Sequence, residues 1–216
     1  MRMLVPVLLV VAALTARASS SNLVNVSFYS EALCPDCDRF TEGEMKEAIE
    51  KVGEIFTLHF VPWGNAKMND DGSFKCQHGE MECAMNTVEA CVIKYNPIRS
   101  TWWPFIVCLE AHGYQQTWEI AQQCAEKQNI TWSEVKACAE GPMGKHLEVM
   151  YYEETASLNP PHQYTPWVLI NGKHVKETDM IRKICTAYEG ENKPEACMRA
   201  QRQFPPMGGC YKEPLE

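Results

Sequence analysis

The stretch Leu23-Val24-Asn25-Val26-Ser27-Phe28-Tyr29, closed a few residues later by Cys34-Pro35-Asp36-Cys37, decides how this chain is read. Apolar and polar residues alternate along the first part, the period of a strand with one buried face. Residues 37–52 (CDRFTEGEMKEAIEKV) then place Phe40, Met45, Ala48, Ile49 and Val52 on or near one helical face. The two cysteines therefore sit at a strand-to-helix junction, with Cys34 at the helix start. Backbone N–H groups and the helix dipole there favour a thiolate. A thiolate is the species that attacks disulfides, so the placement points to thiol–disulfide exchange.

Two other readings of the pair compete. A CxxC can be half of a zinc site, or part of a structural disulfide framework in a secreted chain. Zinc would need a second close pair. The remaining cysteines stand at 76, 83, 91, 108, 124, 138, 185, 197 and 210, and no second CxxC occurs among them. We therefore assign no metal ligands.

Working outward, residues 1–18 have the pattern of a secretory signal: Arg2, an apolar run from Leu4 to Leu14, and Ala16-Arg17-Ala18 as the cleavage site. Its apolar run is shorter than the roughly 20 residues that span a bilayer. Loss of Arg2 and Arg17 would take the formal net charge from -8 to -10. That balance argues against nucleic acid or an anionic membrane as partner. Eleven cysteines behind a signal of this kind imply an oxidising route and several disulfides. Asn25-Val26-Ser27 and Asn129-Ile130-Thr131 are glycosylation sequons. Asn25 must face solvent from its strand to be used, and Asn129 lies at a turn between helices.

Eleven is odd. With Cys34 and Cys37 pairing reversibly, one further cysteine is left free or bonded to another chain. Cys210, in the tail Phe204-Pro205-Pro206-Met207-Gly208-Gly209-Cys210, is the candidate, and through it a disulfide-linked homodimer. Cys185 and Cys197 are a candidate structural pair.

Residues 55–61 (IFTLHFV) read as a second strand ending at Pro62, parallel to the first through a right-handed crossover. Asn65 to Gly79 reads as a polar loop. Helical patterns follow over roughly 80–95, 99–111, 116–127, 132–140 and 144–156. Strand character returns at Thr165-Pro166-Trp167-Val168-Leu169-Ile170, where Asn171-Gly172 signals a hairpin into Lys173-His174-Val175. Residues 178–188 read as a last helix, and 189–216 as a tail rich in Pro, Gly and charge. The order predicts an α/β, thioredoxin-like (DsbA-like) domain over 19–188, with a helical insertion at about 65–160 between the second and third strands. Thioredoxin-like sites set a proline opposite the CxxC, usually after a cis peptide bond. Thr165-Pro166 fits that slot, where Thr165 would offer its backbone to an extended substrate.

Residues 76–91 read Cys-Gln-His-Gly-Glu-Met-Glu-Cys-Ala-Met-Asn-Thr-Val-Glu-Ala-Cys. This segment resembles the CQHGxxECxxNxxxxC signature of the gamma-interferon-inducible lysosomal thiol reductase (GILT) family at every fixed position. The resemblance implies a lysosomal or secreted enzyme that reduces protein disulfides at acidic pH, which in vertebrates unfolds antigens before proteolysis. It implies delivery through glycans and trimming of the terminal segments. It maps the catalytic pair onto Cys34, the nucleophile, and Cys37, the resolving thiol. No cofactor is expected beyond an external thiol reductant, and the partners are disulfide-containing proteins. On one helix, Cys83 and Cys91 would lie about 12 Å apart along the axis, too far to pair. Each is expected to tie the helix to a neighbour. His78 and Glu82 have two readings, bordering the site or, as is commoner for a loop histidine, only solvated; neither is expected to catalyse. Secretory oxidation or isomerisation is the alternative, and a non-catalytic, disulfide-stapled binding protein is a third. Acid function would require strong acidification of Cys34, against which Asp36 would act if ionised nearby.

Overall fold

The computed structural model describes residues 23–203, with side chains described to residue 200. The expected signal segment 1–18, Cys210 and the last part of the tail lie outside the described residues.

The first strand, β1 (Val24–Ser30), is the hub of a four-stranded sheet ordered β2-β1-β5-β6. Strand β2 (Phe56–Pro62) runs parallel to it, with Val24 opposite Phe56 and Ser30 opposite Pro62. On the other side β5 (Trp167–Ile170) runs antiparallel, Tyr29 facing Trp167 and Val26 facing Ile170. The hairpin partner β6 (Lys173–Val175) completes the sheet. Its turn uses Asn171 and Gly172, both at positive φ, as a tight two-residue turn requires.

Alternation along β1 has the expected consequence. Val24, Val26 and Phe28 point into the main core, where the Phe28 ring meets Phe40 at 4.9 Å and Phe60 at 5.1 Å, both edge-on. Tyr29 faces a second, smaller cluster with Val61, Trp63, Ala66 and Trp167. The helix after β1 is read as one piece from sequence. It comprises α1 (Pro35–Phe40), a π-helical turn over Thr41–Met45, and α2 (Lys46–Val52). The wider turn keeps Phe40, Met45, Ala48 and Val52 all buried against the sheet.

Between β2 and β5 lies the helical insertion: α3 (Glu80–Tyr95), α4 (Arg99–Glu110), α5 (Trp118–Lys127), α6 (Trp132–Ala139) and α7 (Pro142–Ala156). Helix α3 runs through its middle. Cys91–Cys138 binds it to α6, and Cys108–Cys124 joins α4 to α5. Cys83 bonds Cys76 in the loop before its own helix, across 5.6 Å between Cα atoms, so of the two only Cys91 reaches a neighbouring helix.

Two segments differ from their reading. The loop from Asn65 to Gly79 holds a small ribbon, β3 (Lys67–Met68) with β4 (Phe74–Lys75). It is too short for a periodic signal and is anchored by Phe74 against Trp63. The segment read as tail from Glu189 contains a helix, α9 (Glu195–Gln203), fastened to α8 (Met180–Ala187) by Cys185–Cys197. Its composition is strongly polar, and the disulfide holds it to the domain. Among the described residues no helix is long and apolar enough to cross a membrane.

Candidate active site

The end of β1 delivers the chain to the reactive pair through Glu31, Ala32 and Leu33. Leu33 takes a positive φ of 63°. This turns the chain so that Cys34 becomes the N-cap of α1, where its sulfur accepts from the Cys37 N–H at 3.5 Å. Pro35 occupies the first helical position, where its missing N–H costs nothing. Cys34 is 6% exposed and Cys37 is fully buried; neither is in a disulfide.

The two thiols are driven apart in acidity. Cys34 is lowered from 9.0 to about 7 by a hydrogen bond from the Cys37 thiol, assisted by the Cys37 backbone N–H and the Thr165 hydroxyl, against burial and the charge of Glu31. Cys37 is raised well above 9.0, chiefly by burial and then by its partner sulfur. Of the two, Cys34 is the one that favours the thiolate, and Cys37 the one that keeps its proton. The carboxylate acting against Cys34 is Glu31. Asp36 turns to solvent and pairs with Arg39.

Thr165 and Pro166, joined by a cis peptide bond, stand opposite. Thr165 Oγ1 lies 3.8 Å from Cys34 Sγ. A groove of about 410 Å³ runs beside them, lined by Asp36, Arg39, Phe40, Tyr164, Thr165 and Pro166 among others. The structure thus brings Cys34, Cys37, Thr165 and Pro166 together from opposite ends of the domain. Asn25 and Asn129 stay apart from them, both exposed, Asn129 in a left-handed turn after α5.

Glu31 and Asn65 escaped the sequence reading. Glu31 is buried, and its carboxylate accepts from Asn65 N at 2.6 Å. Beside it His78 Nδ1 lies 2.8 Å from Glu82 Oε2 and 3.8 Å from Glu31 Oε1. Glu31, His78 and Glu82 form the one convergent group of metal-ligating side chains among the described residues, their ligand atoms within 4.8 Å of one another. Those atoms are engaged with one another and with Asn65. His78 and Glu82 thus border the site by bracing the loop before Cys34.

Behind the pair, the buried Glu89, Glu110 and Glu148 form an acidic row with the half-buried Asp38. Burial pushes Glu89 up to about 8 and raises Glu110 and Glu148 well above the carboxylate range. Asp38, also raised by burial, hydrogen-bonds Glu110. A signal for this row exists in the sequence. Glu89 lies four residues after Met85 and three before Val92, so it falls on a core-facing helix surface.

Comparison with known proteins agrees with this geometry. The family model "Gamma interferon inducible lysosomal thiol reductase (GILT)" matches residues 25–128. The chain is 35% identical to the gamma-interferon-inducible lysosomal thiol reductase of Carassius auratus, covering 81% of this chain and 72% of that protein. It is 33% identical to the Mus musculus protein of the same name, over 88% of this chain and 77% of that one. It is 32% identical to a gamma-interferon-responsive lysosomal thiol protein of Arabidopsis thaliana, over 83% and 78%. Among solved structures, BdbD from Bacillus subtilis superposes with a TM-score of 0.61 at 16% identity, covering 77% of this chain and 88% of that one. DsbA from Mycobacterium tuberculosis gives 0.57 at 16%, over 83% and 88%. Those two establish the thioredoxin-like, DsbA-like fold. With a CxxC at a helix start, a proline opposite and these relatives along most of its length, the chain belongs to the gamma interferon inducible lysosomal thiol reductase (GILT) family and is a thiol–disulfide oxidoreductase.

Proposed function

We propose that the chain reduces disulfide bonds of endocytosed proteins in an acidic compartment, the lysosome or the space into which it is secreted, and so opens them to proteolysis in antigen processing or defence. The observation that carries the reading is the split acidity of the pair: Cys34 at about 7 and Cys37 far higher. Two units below its midpoint Cys34 still holds about 1% thiolate, against about 0.01% for a thiol at 9.

The Cys34 thiolate attacks one sulfur of a substrate disulfide. The S–S bond breaks, Cys34 becomes linked to that sulfur, and the departing sulfur leaves as a thiolate that takes a proton from water. Cys37 then loses its proton and attacks Cys34 Sγ, releasing the second substrate thiol and leaving Cys34–Cys37 oxidised. Two electrons have passed to the substrate, and an external thiol reductant returns them. Thr165 and Pro166 align the substrate strand along the groove beside Cys34. Asn129 and Asn25 are the proposed glycan acceptors, and Cys210 the proposed link of a homodimer.

The deciding experiment is reduction of insulin by wild type and Cys34→Ser at acidic and neutral pH. Reduction at acidic pH that disappears in Cys34→Ser supports the reading; absence of acid activity, or its survival in Cys34→Ser, overturns it. A second reading is oxidation or isomerisation, favoured by the raised acidity of Cys34, because stabilising the thiolate makes the pair more oxidising. The reduction potential measured in glutathione buffers separates the two.

A further inference from the structure

Thr165 has one hydroxyl hydrogen, and its direction decides whether Cys34 receives a hydrogen bond. Around it, Asn65 Nδ2 lies 3.3 Å from Thr165 Oγ1, 3.0 Å from Gln77 Oε1 and 3.4 Å from Glu31 Oε1. The oxygens of Glu31 and Gln77 that face Asn65 are acceptors, so the Asn65 atom facing them is the amide nitrogen. Its two hydrogens go to the nearer acceptors, Gln77 Oε1 and Thr165 Oγ1, while Glu31 holds Asn65 mainly through the backbone N–H. With one lone pair so engaged, the hydroxyl has its hydrogen free for Cys34 Sγ, 3.8 Å away, and toward a thiolate, which carries no hydrogen, the hydroxyl is the donor.

The placement of Asn65 is itself built. Its backbone N–H donates to Glu31 Oε2 at 2.6 Å. Gly64, at a φ of 57°, brings the backbone so close that a Cβ there would meet Glu31 Oε2 at 2.3 Å. Only glycine permits that approach. Gln77 is carried by the loop that Cys76–Cys83 closes. The chain of contacts therefore runs from Glu31 and Gln77 through Asn65 to Thr165 and ends on the reactive sulfur.

We propose that Asn65 is a positioning residue of the active site, clamped by Glu31 and Gln77, which turns the Thr165 hydroxyl into a hydrogen-bond donor to the Cys34 thiolate. This rests on the reading of Cys34 as the attacking thiol. It gives Glu31 two opposed effects, since its charge resists ionisation of Cys34 while its geometry holds the group that favours it. It also gives Gln77, in the 76–91 segment, a task at the reactive pair: holding Asn65 in place.

The test is the pH dependence of Cys34 alkylation by iodoacetamide in the reduced full chain. Wild type is compared with Asn65→Ala, Thr165→Val and the double variant. Asn65→Ala and Thr165→Val should each raise the alkylation midpoint and slow alkylation at pH 5 about five-fold, the worth of one hydrogen bond. The double variant should be no slower than Thr165→Val alone, because both changes remove the same bond. An unchanged midpoint in Asn65→Ala, or additive effects in the double variant, overturns the proposal. Both Asn65→Ala and Asn65→Ser keep the backbone bond to Glu31, and Asn65→Ser, with its polar side chain, replaces Asn65→Ala if that variant does not fold. Insulin reduction is read in parallel. If it is lost in Cys34→Ser yet the Asn65 variants titrate like wild type, the positioning role fails while the reductase reading stands. If Cys34→Ser still reduces insulin, the reductase reading itself fails.

Discussion

Asn86 Oδ1 accepts a hydrogen bond from the backbone N–H of Ala32 at 2.8 Å, joining the middle of α3 to the turn that presents Cys34. Both residues are fully buried. Leu33, next in the chain, holds its positive φ against this anchor. Asn86→Ala would leave a buried N–H without a partner, at a cost of about 1–3 kcal/mol. Urea unfolding should show that loss, and Cys34 alkylation should lose its sharp pH midpoint as the turn loosens. A variant as stable as wild type would mean that the turn holds itself.

The split acidity of the pair predicts selective chemistry. In the reduced protein, iodoacetamide should label Cys34 with a midpoint near pH 7 and leave Cys37 unmodified at that pH, read by peptide mass spectrometry. Cys37→Ser should accumulate mixed disulfides with a scrambled-disulfide substrate, visible on non-reducing gels, because nothing resolves them. Equal labelling of both thiols would contradict the assigned order of attack.

The buried acidic row predicts a stability profile that falls as pH rises. Glu89 stands at about 8 in the folded chain against an ordinary 4.5. A carboxyl raised on folding binds its proton more tightly in the folded state. Its contribution is complete below about pH 4.5 and is lost as pH climbs to about 8, at roughly 1.4 kcal/mol per pH unit per proton. His59, raised by its bond to Glu154, acts in the same direction near neutrality. Glu154, which is lowered, loses stability only as pH falls below its ordinary 4.5. Thermal unfolding followed by circular dichroism should therefore show Tm rising by about 3–6 °C per pH unit from pH 8 to pH 5. Glu89→Gln should flatten the slope, and a Tm that falls over the same interval would refute this account.

The disulfides should differ in worth by the length of chain they close. Cys91–Cys138 closes 47 residues and Cys76–Cys83 closes 7. Chain entropy assigns them about 4 and about 2 kcal/mol. Paired alanine variants compared in urea should rank in that order. The Cys76/Cys83 variant should in addition slow Cys34 alkylation at acidic pH, since the loop carrying Gln77 and His78 is freed.

Much of this molecule was written in local sequence. The strand–helix–strand unit, the hairpin at Asn171-Gly172 and the insertion helices follow from periodicity and turn chemistry, which act over a few residues and leave a linear trace. Cys34 and Cys37 were legible for the same reason, and the 76–91 segment named the family. Short elements were less legible: the β3–β4 ribbon has too few residues for a period, and α9 lies in a stretch whose composition reads as tail. What the sequence by itself determined is a dithiol at a helix start, with a proline 129 residues downstream of Cys37. What only the tertiary structure decided is how that dithiol is tuned. Glu31, Asn65, Gln77, Thr165 and the buried glutamates act through distances between elements far apart in the chain. Hydrogen-bond direction and desolvation depend on which groups meet in space, and no spacing along the sequence encodes them.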